Sequence, residues 1–475
     1  MKRWATFLLF FGAALVWKSL FGWTQVHAQE PKPAVREYLP LIEGRGDQDN
    51  SQEPVTDLRP DDRPLTGVQE TSLGTQEMRH SYWVPGFQYA NIIRSTSFLR
   101  PGVTNWNSTS YLTGNVSLLD TWSHAQLSMN YSGGGGFSTD STQGRNYFHQ
   151  FGMTQAFDWS RWQLQFIDQF SYLPETQFGF GGATNLSLPG VGGSIAPPGP
   201  GLQNNYVPNQ SIFSSFGARY SNSFVTQVVY GLSRRASITA AGSYGFMRFV
   251  DIGNINSDDV IANLGFNYTL TKKDTLGMLY RFTAYQYIGV PQRFGDHVVN
   301  LAYGRKVTGR LALQLFGGPD ITIFKIPIAN TTTRVSASGG GTLTYATSRG
   351  GLSLTYNHGV SGGSGVLVGS STDQISGSMN HGLGRVWRGS INFGYAKNRS
   401  VVQNQAQNSP GFDSYFAGAG LDRPLGRNAT FSLGYTTYIQ GTTQSVCTPG
   451  ACITNPPQHQ ISLGFTWHTR PYVLH

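Results

Sequence analysis

Residues 261–284 read IANLGFNYTLTKKDTLGMLYRFTA, and their pattern decides the fold. Leu264, Phe266, Tyr268 and Leu270 alternate with Asn263, Gly265, Asn267 and Thr269. Past Thr271-Lys272-Lys273-Asp274 the alternation resumes, with Leu276, Met278, Tyr280 and Phe282 set against Gly277, Leu279, Arg281 and Thr283. A period of two sends successive side chains to opposite faces of a strand, so the stretch predicts a hairpin with one apolar face. The other face carries mostly Gly, Thr and Asn, which are too small to cover a soluble sheet but suit the wall of a water-filled space. The expectation is therefore that Leu264, Phe266, Tyr268, Leu276, Met278 and Tyr280 face lipid, while Asn267, Thr269 and Arg281 line a pore. Arg281 on the lipid face would cost up to ~2–4 kcal/mol near the bilayer midplane.

The unit repeats along the chain. Turn centres fall near residues 121, 160, 234, 272, 309, 350, 386 and 426, at intervals of 36–41 residues apart from one of 74. Longer Gly/Ser/Asn-rich connections lie between them, near residues 99–107, 133–144, 176–213, 251–257, 288–297, 317–333, 360–372, 398–412 and 441–458. A fixed period with varied sequence marks a meander of similar hairpins. Short turns on one side and long loops on the other predict an all-β fold, a transmembrane antiparallel barrel of 18 strands, with 16 as the alternative count. The first strand is expected over residues 87–98, and the last carries Ile461, Leu463, Phe465 and Trp467. Asp168 breaks the apolar series Trp162, Leu164, Phe166, Phe170, Tyr172. It is expected near the outer headgroup zone, or turned inward by a bulge.

Composition supports this reading. Of 475 residues only 39% are hydrophobic and 12% charged, while 59 are glycine, a balance that fits strands facing lipid on one side and water on the other. Lys2 and Arg3 precede an apolar run over residues 7–17, and Val26-His27-Ala28 offers a cleavage site, so residues 1–28 read as a signal peptide. Residues 29–80 hold 11 acidic and 6 basic side chains without a sustained period, and read as a disordered periplasmic leader. The barrel is expected over residues 81–475, which carry 25 basic and 14 acidic groups. No basic helix or Lys/Arg run is present to bind nucleic acid.

Chemistry is sparse. Gly359-Val360-Ser361-Gly362-Gly363 matches G-x-S-x-G beside His358, but a nucleophile elbow needs a strand-to-helix turn and an acidic partner. The ten histidines stand singly, without a second ligand at metal-binding spacing. No enzyme activity and no cofactor are expected. Cys447 and Cys452 flank a Pro-Gly turn, and in an oxidising compartment are expected to form a disulfide. Arg234, Arg235, Lys272, Lys273, Arg305 and Lys306 fall at short turns, where they form a periplasmic basic rim against lipid headgroups, or one that attracts anionic solutes.

With its signal peptide, alternating hairpins, short turns and aromatic final strand, the chain resembles a Gram-negative outer-membrane β-barrel of porin-like type. Units such as Leu270-Thr271-Lys272-Lys273-Asp274-Thr275-Leu276 also look similar to barrels associated with exopolysaccharide loci. Residues 29–80 are too few for the folded plug of a TonB-dependent receptor. The resemblance implies an address in the bacterial outer membrane, lipid and the barrel-assembly machinery as partners, and passive diffusion of small hydrophilic solutes. The alternatives are an export conduit for a secreted polysaccharide and a barrel-displayed surface adhesin. In general porins the third external loop narrows the channel. The third long connection here is uncharged over residues 177–213, and its Leu186, Leu188, Val191, Ile195 and Leu202 need burial, so it is expected to form the constriction, with a mobile surface loop, which Pro and Gly also suit, as the alternative.

Overall fold

Period-two stretches can bury backbone polar groups in lipid only by pairing with one another in a closed ring. The computed structural model of the chain has that form. It describes residues 64–69, 81–96, 105–139, 145–173, 202–207, 211–212, 218–250, 254–328, 331–363, 365–402, 411–442 and 457–474. The first six strands are β1 (Tyr82–Thr96), β2 (Asn105–Thr121), β3 (Ala125–Ser138), β4 (Arg145–Asp158), β5 (Trp162–Leu173) and β6 (Arg219–Gly231). The next six are β7 (Ala236–Phe249), β8 (Ser257–Thr269), β9 (Asp274–Tyr287), β10 (Arg293–Lys306), β11 (Leu311–Ile328) and β12 (Thr331–Thr347). The last long strands are β13 (Gly350–Ser361), β14 (Ser370–Leu383), β15 (Trp387–Ser400), β16 (Gly411–Pro424), β17 (Ala429–Thr442) and β18 (Gln458–His468), with a two-residue β19 (Tyr472–Val473) after them. Every long strand pairs antiparallel with its sequence neighbours, and β1 closes the ring on β18. The count is the expected 18, and all eight short turns fall where the alternation breaks.

The seam between the termini uses the residues beyond Trp467. Gly86 pairs with His468, and after one extra residue the register resumes with Trp83 opposite Tyr472 and Tyr82 opposite Val473. This is the count of a β-bulge. The rings of Trp83 and Tyr472 stack at 5.2 Å, and those of Phe87 and Trp467 lie 5.5 Å apart.

The two faces separate as the alternation requires. Leu264 and Met278 are 57% and 53% exposed on the outside, whereas Asn267 and Arg281 are 4% and 5% exposed inside. Aromatic rings gather at both ends of the outer face. Trp162 meets Tyr230 at 4.4 Å towards the turns, and Tyr131, His149, Tyr172 and Tyr220 form a stacked row towards the loops. Two such girdles around an apolar band are the signature of a barrel that spans a bilayer. Among the described residues no helix is long and apolar enough to cross a membrane.

Several expectations need correction, among them residues 133–138, expected within a loop, which belong to β3 and pair with β2. The first strand begins at Tyr82 and ends at Thr96 rather than covering residues 87–98. Residues 317–333 are not a loop, because β11 and β12 pair from Leu311 opposite Tyr345 as far as Ile323 opposite Thr333. The glycines there serve close packing instead of a turn: a Cβ on Gly340 would lie 2.6 Å from the Phe316 ring. Asp168 keeps regular pairing with Met153 and Phe224, so no bulge turns it inward. At ~3.3 Å per residue and ~40° tilt it sits roughly 10 Å short of the Tyr172 level, inside the apolar band rather than in the headgroup zone.

Candidate functional site in the barrel lumen

A ring of 18 strands spaced ~4.8 Å apart and tilted ~40° has a backbone diameter on the order of 35 Å, too wide for wall side chains to fill. What lies inside therefore determines what can pass. The wall itself is built from the inward halves of the alternating strands, largely Ser, Thr, Asn and Gln. Four charged side chains are deeply buried there among the described residues: Arg219, Arg281, Asp296 and Asp320. Two are basic and two acidic.

Part of the third connection crosses this space. Leu202 and Tyr206 pack with Ile167, Val225 and Ile261 on β5, β6 and β8. The Tyr206 hydroxyl accepts a hydrogen bond from Asn263 Nδ2 at 2.6 Å, and its backbone oxygen accepts one from the Ser223 hydroxyl. Burial pushes the Tyr206 phenol up to about 12, so it stays neutral at any physiological pH. Five residues later the Ser211 hydroxyl donates to Asn398 Oδ1 on β15 at 2.8 Å. β6 and β15 stand nine strands apart in a ring of 18, on opposite sides. Residues 202–207 and 211–212 thus touch opposite sides of the lumen and are called the bridge below.

Residues 64–69 lie beside that bridge. The Thr66 amide donates to Asn267 Oδ1 at 3.1 Å, and Asn267 Nδ2 returns a bond to the Thr66 hydroxyl at 2.8 Å. Asn263 Nδ2 reaches the Thr66 carbonyl at 3.2 Å, and the Val68 amide donates to Gln227 Oε1 at 2.7 Å. Val68 is fully buried in the Leu202–Tyr206 cluster, and Gln69 forms a bridge with Leu202. These six residues belong to the stretch expected as a disordered periplasmic leader, and they are ordered within the barrel. Their signal was faint: Leu65-Thr66-Gly67-Val68 is a short uncharged piece in a charged segment. The long amides Gln227, Asn263 and Asn267 at inward positions were the other hint.

Of the residues singled out from sequence, Asn267 holds Thr66, and Arg281 is buried on β9 opposite Asn263. Thr269 is half-buried at the turn end of β8. Leu202 is in the bridge. Arg234, Arg235, Lys272, Lys273 and Arg305 are exposed at the turn end, with Lys306 half-buried beside them. Arg305 lies 3.7 Å from Asp274. Leu186, Leu188, Val191, Ile195, Cys447 and Cys452 lie outside the described residues. The G-x-S-x-G match does not assemble a triad. His358 pairs with Asp373 at 2.6 Å, but Ser361 is three residues along the strand, hence on the opposite face, and bonds Thr372 at 2.9 Å.

No protein-family model and no curated protein sequence matches the chain. Among solved structures, the outer membrane protein OpdK of Pseudomonas aeruginosa is similar over 82% of this chain and 99% of its own, at 11% identity and a TM-score of 0.40. OccAB1 of Acinetobacter baumannii is similar over 83% and 100%, at 10% identity and 0.41. OccK2 (OpdF) of Pseudomonas aeruginosa is similar over 82% and 98%, at 10% identity and 0.41. The barrel assignment rests on the strand pairing itself rather than on this likeness. None of the three is described as an exopolysaccharide protein, so that likeness gains no support.

Proposed function

We propose that the chain is a channel of the bacterial outer membrane through which small hydrophilic solutes diffuse passively. The observation that carries this reading is a closed 18-strand ring with an apolar outer face and an inner wall of hydroxyls and amides. No side chain is asked to do chemistry. Selection comes from the width left by the third connection and from a lumen whose deeply buried charged residues are of both signs. Arg281 and Thr269 line the path, and the turn-side cations contact lipid headgroups. Cys447 and Cys452 form a disulfide in the last external loop. Liposomes containing the folded protein are expected to swell in neutral sugars, more slowly as the sugar grows. Liposomes that resist swelling in the smallest of these sugars would count against the channel.

A further inference from the structure

The position of residues 64–69 has a consequence for how such a channel closes. They touch the wall within six residues of the turn ends of β6, β8, β9, β10 and β11, so they occupy the turn-side part of the lumen. The wall is shaped for them. A Cβ on Gly265 would collide with Thr66, one on Gly277 would stand 3.1 Å from Thr66 Cγ2, and one on Gly304 would stand 2.7 Å from Leu65 Cδ2. Three wall positions thus lack a side chain where the segment lies. Around them Asn267, Asn263, Gln227 and Gln314 present amides to the backbone groups of residues 65–68. Amides that read main-chain N–H and C=O, over a floor of glycine, recognise a short uncharged turn, here closed by the Gly67 amide donating to the Pro64 carbonyl at 2.9 Å.

The seat is independent of the barrel's own hydrogen bonding. Residues 64–69 form no ladder with any wall strand; their backbone meets side chains and the bridge, where the Gln203 amide donates to the Val68 carbonyl at 2.9 Å and Gln203 Nε2 to the Gly67 carbonyl at 2.9 Å. Removing the segment leaves the 18-strand ring paired throughout. The net gain of one such hydrogen bond is comparable to the cost of ordering one residue, so the hydrogen bonds alone do not lock the segment in its seat. Val68 also completes the apolar cluster that holds Leu202 and Tyr206, so release loosens the bridge as well.

We propose that the turn-side lumen is a peptide-binding site, filled in cis by residues 64–69 as a releasable plug. Its gating role rests on the channel reading above; its occupancy does not. The test keeps the full chain, with Cys447 and Cys452 changed to Ser. Thr66→Cys with Gly277→Cys is expected to form a disulfide in the folded, membrane-inserted protein, lowering conductance until a reductant is added. Val68→Asp sets a carboxylate in the apolar cluster. It is expected to abolish that cross-link and raise mean conductance severalfold. A synthetic peptide of residues 62–71, added from the turn side, should bind the Val68→Asp protein and restore the low level, whereas a scrambled peptide should not. Absence of the cross-link in a barrel that runs as folded on a heat-modifiability gel overturns the proposal. So does a Val68→Asp protein that conducts like its parent. If nothing conducts while the cross-link forms and the labelled peptide binds Val68→Asp, the binding site stands and the channel reading falls.

Discussion

Asp168 shows what one polar residue needs on a lipid-facing surface. Its carboxylate lies on the outer face between Phe166 and Phe170 and accepts a hydrogen bond from Asn222 Nδ2 at 2.7 Å. Removing Asn222 leaves the carboxylate with only the Gln169 backbone amide in low dielectric, so Asn222→Ala should destabilise the barrel by ~1 kcal/mol or more. Asp168→Leu removes the demand itself and should be neutral or stabilising. Urea unfolding in lipid vesicles checks the order; an Asn222→Ala protein as stable as its parent would mean that water or a headgroup serves the carboxylate. The inner wall can be probed in the same way. Leu264→Cys should react with a membrane-dissolved maleimide, and Asn267→Cys only with a water-soluble one. Reaction of Asn267→Cys from the membrane alone would invert the register of β8.

At the level of elements, the hairpins were legible because their signal is local. Each strand needs only its own alternation and the turn beside it, as residues 261–284 display. Residues 317–333 misled because Gly317, Gly318 and Pro319 carry turn chemistry, whereas Gly339, Gly340 and Gly341 across the ladder reveal a need for close approach. The plug was not legible. Its partners lie 159 and 201 residues away in sequence, and nothing local announces them. The same holds for Ser211 and Asn398, 187 residues apart. The missing charges of the third connection led to the expectation that it narrows the channel; of the residues named for that role only Leu202 is described, and its anchors on β5, β6 and β8 had no local signal. Deleting residues 182–203 removes Leu202 and Gln203 from the bridge and should raise conductance in a barrel that still folds. An unchanged conductance would show that these residues do not form the constriction. The seam offers a second test. Tyr472→Ala removes the stack on Trp83, a contact of ~0.5–1.5 kcal/mol, and should lower unfolding stability by about that amount. Equal unfolding curves for the two proteins would show that the extension past Trp467 adds nothing to closure.

For the molecule as a whole, charge and width act on different properties. Among the described residues the deeply buried charged residues of the wall are two basic, Arg219 and Arg281, and two acidic, Asp296 and Asp320, so no single sign lines it. In a salt gradient the reversal potential should stay near zero, and a large shift of either sign would show that other charges dominate the path. Two pieces of chain lie inside the ring, one touching β6 and β15 and one seated on β8 and β9, and on the channel reading they are what narrows it. The most direct test of the central claim is conductance in planar bilayers, comparing the parent, the Val68→Asp protein and the deletion of residues 182–203. The account predicts discrete, weakly selective steps, larger in both variants than in the parent. Three folded, inserted barrels that pass no current would contradict it.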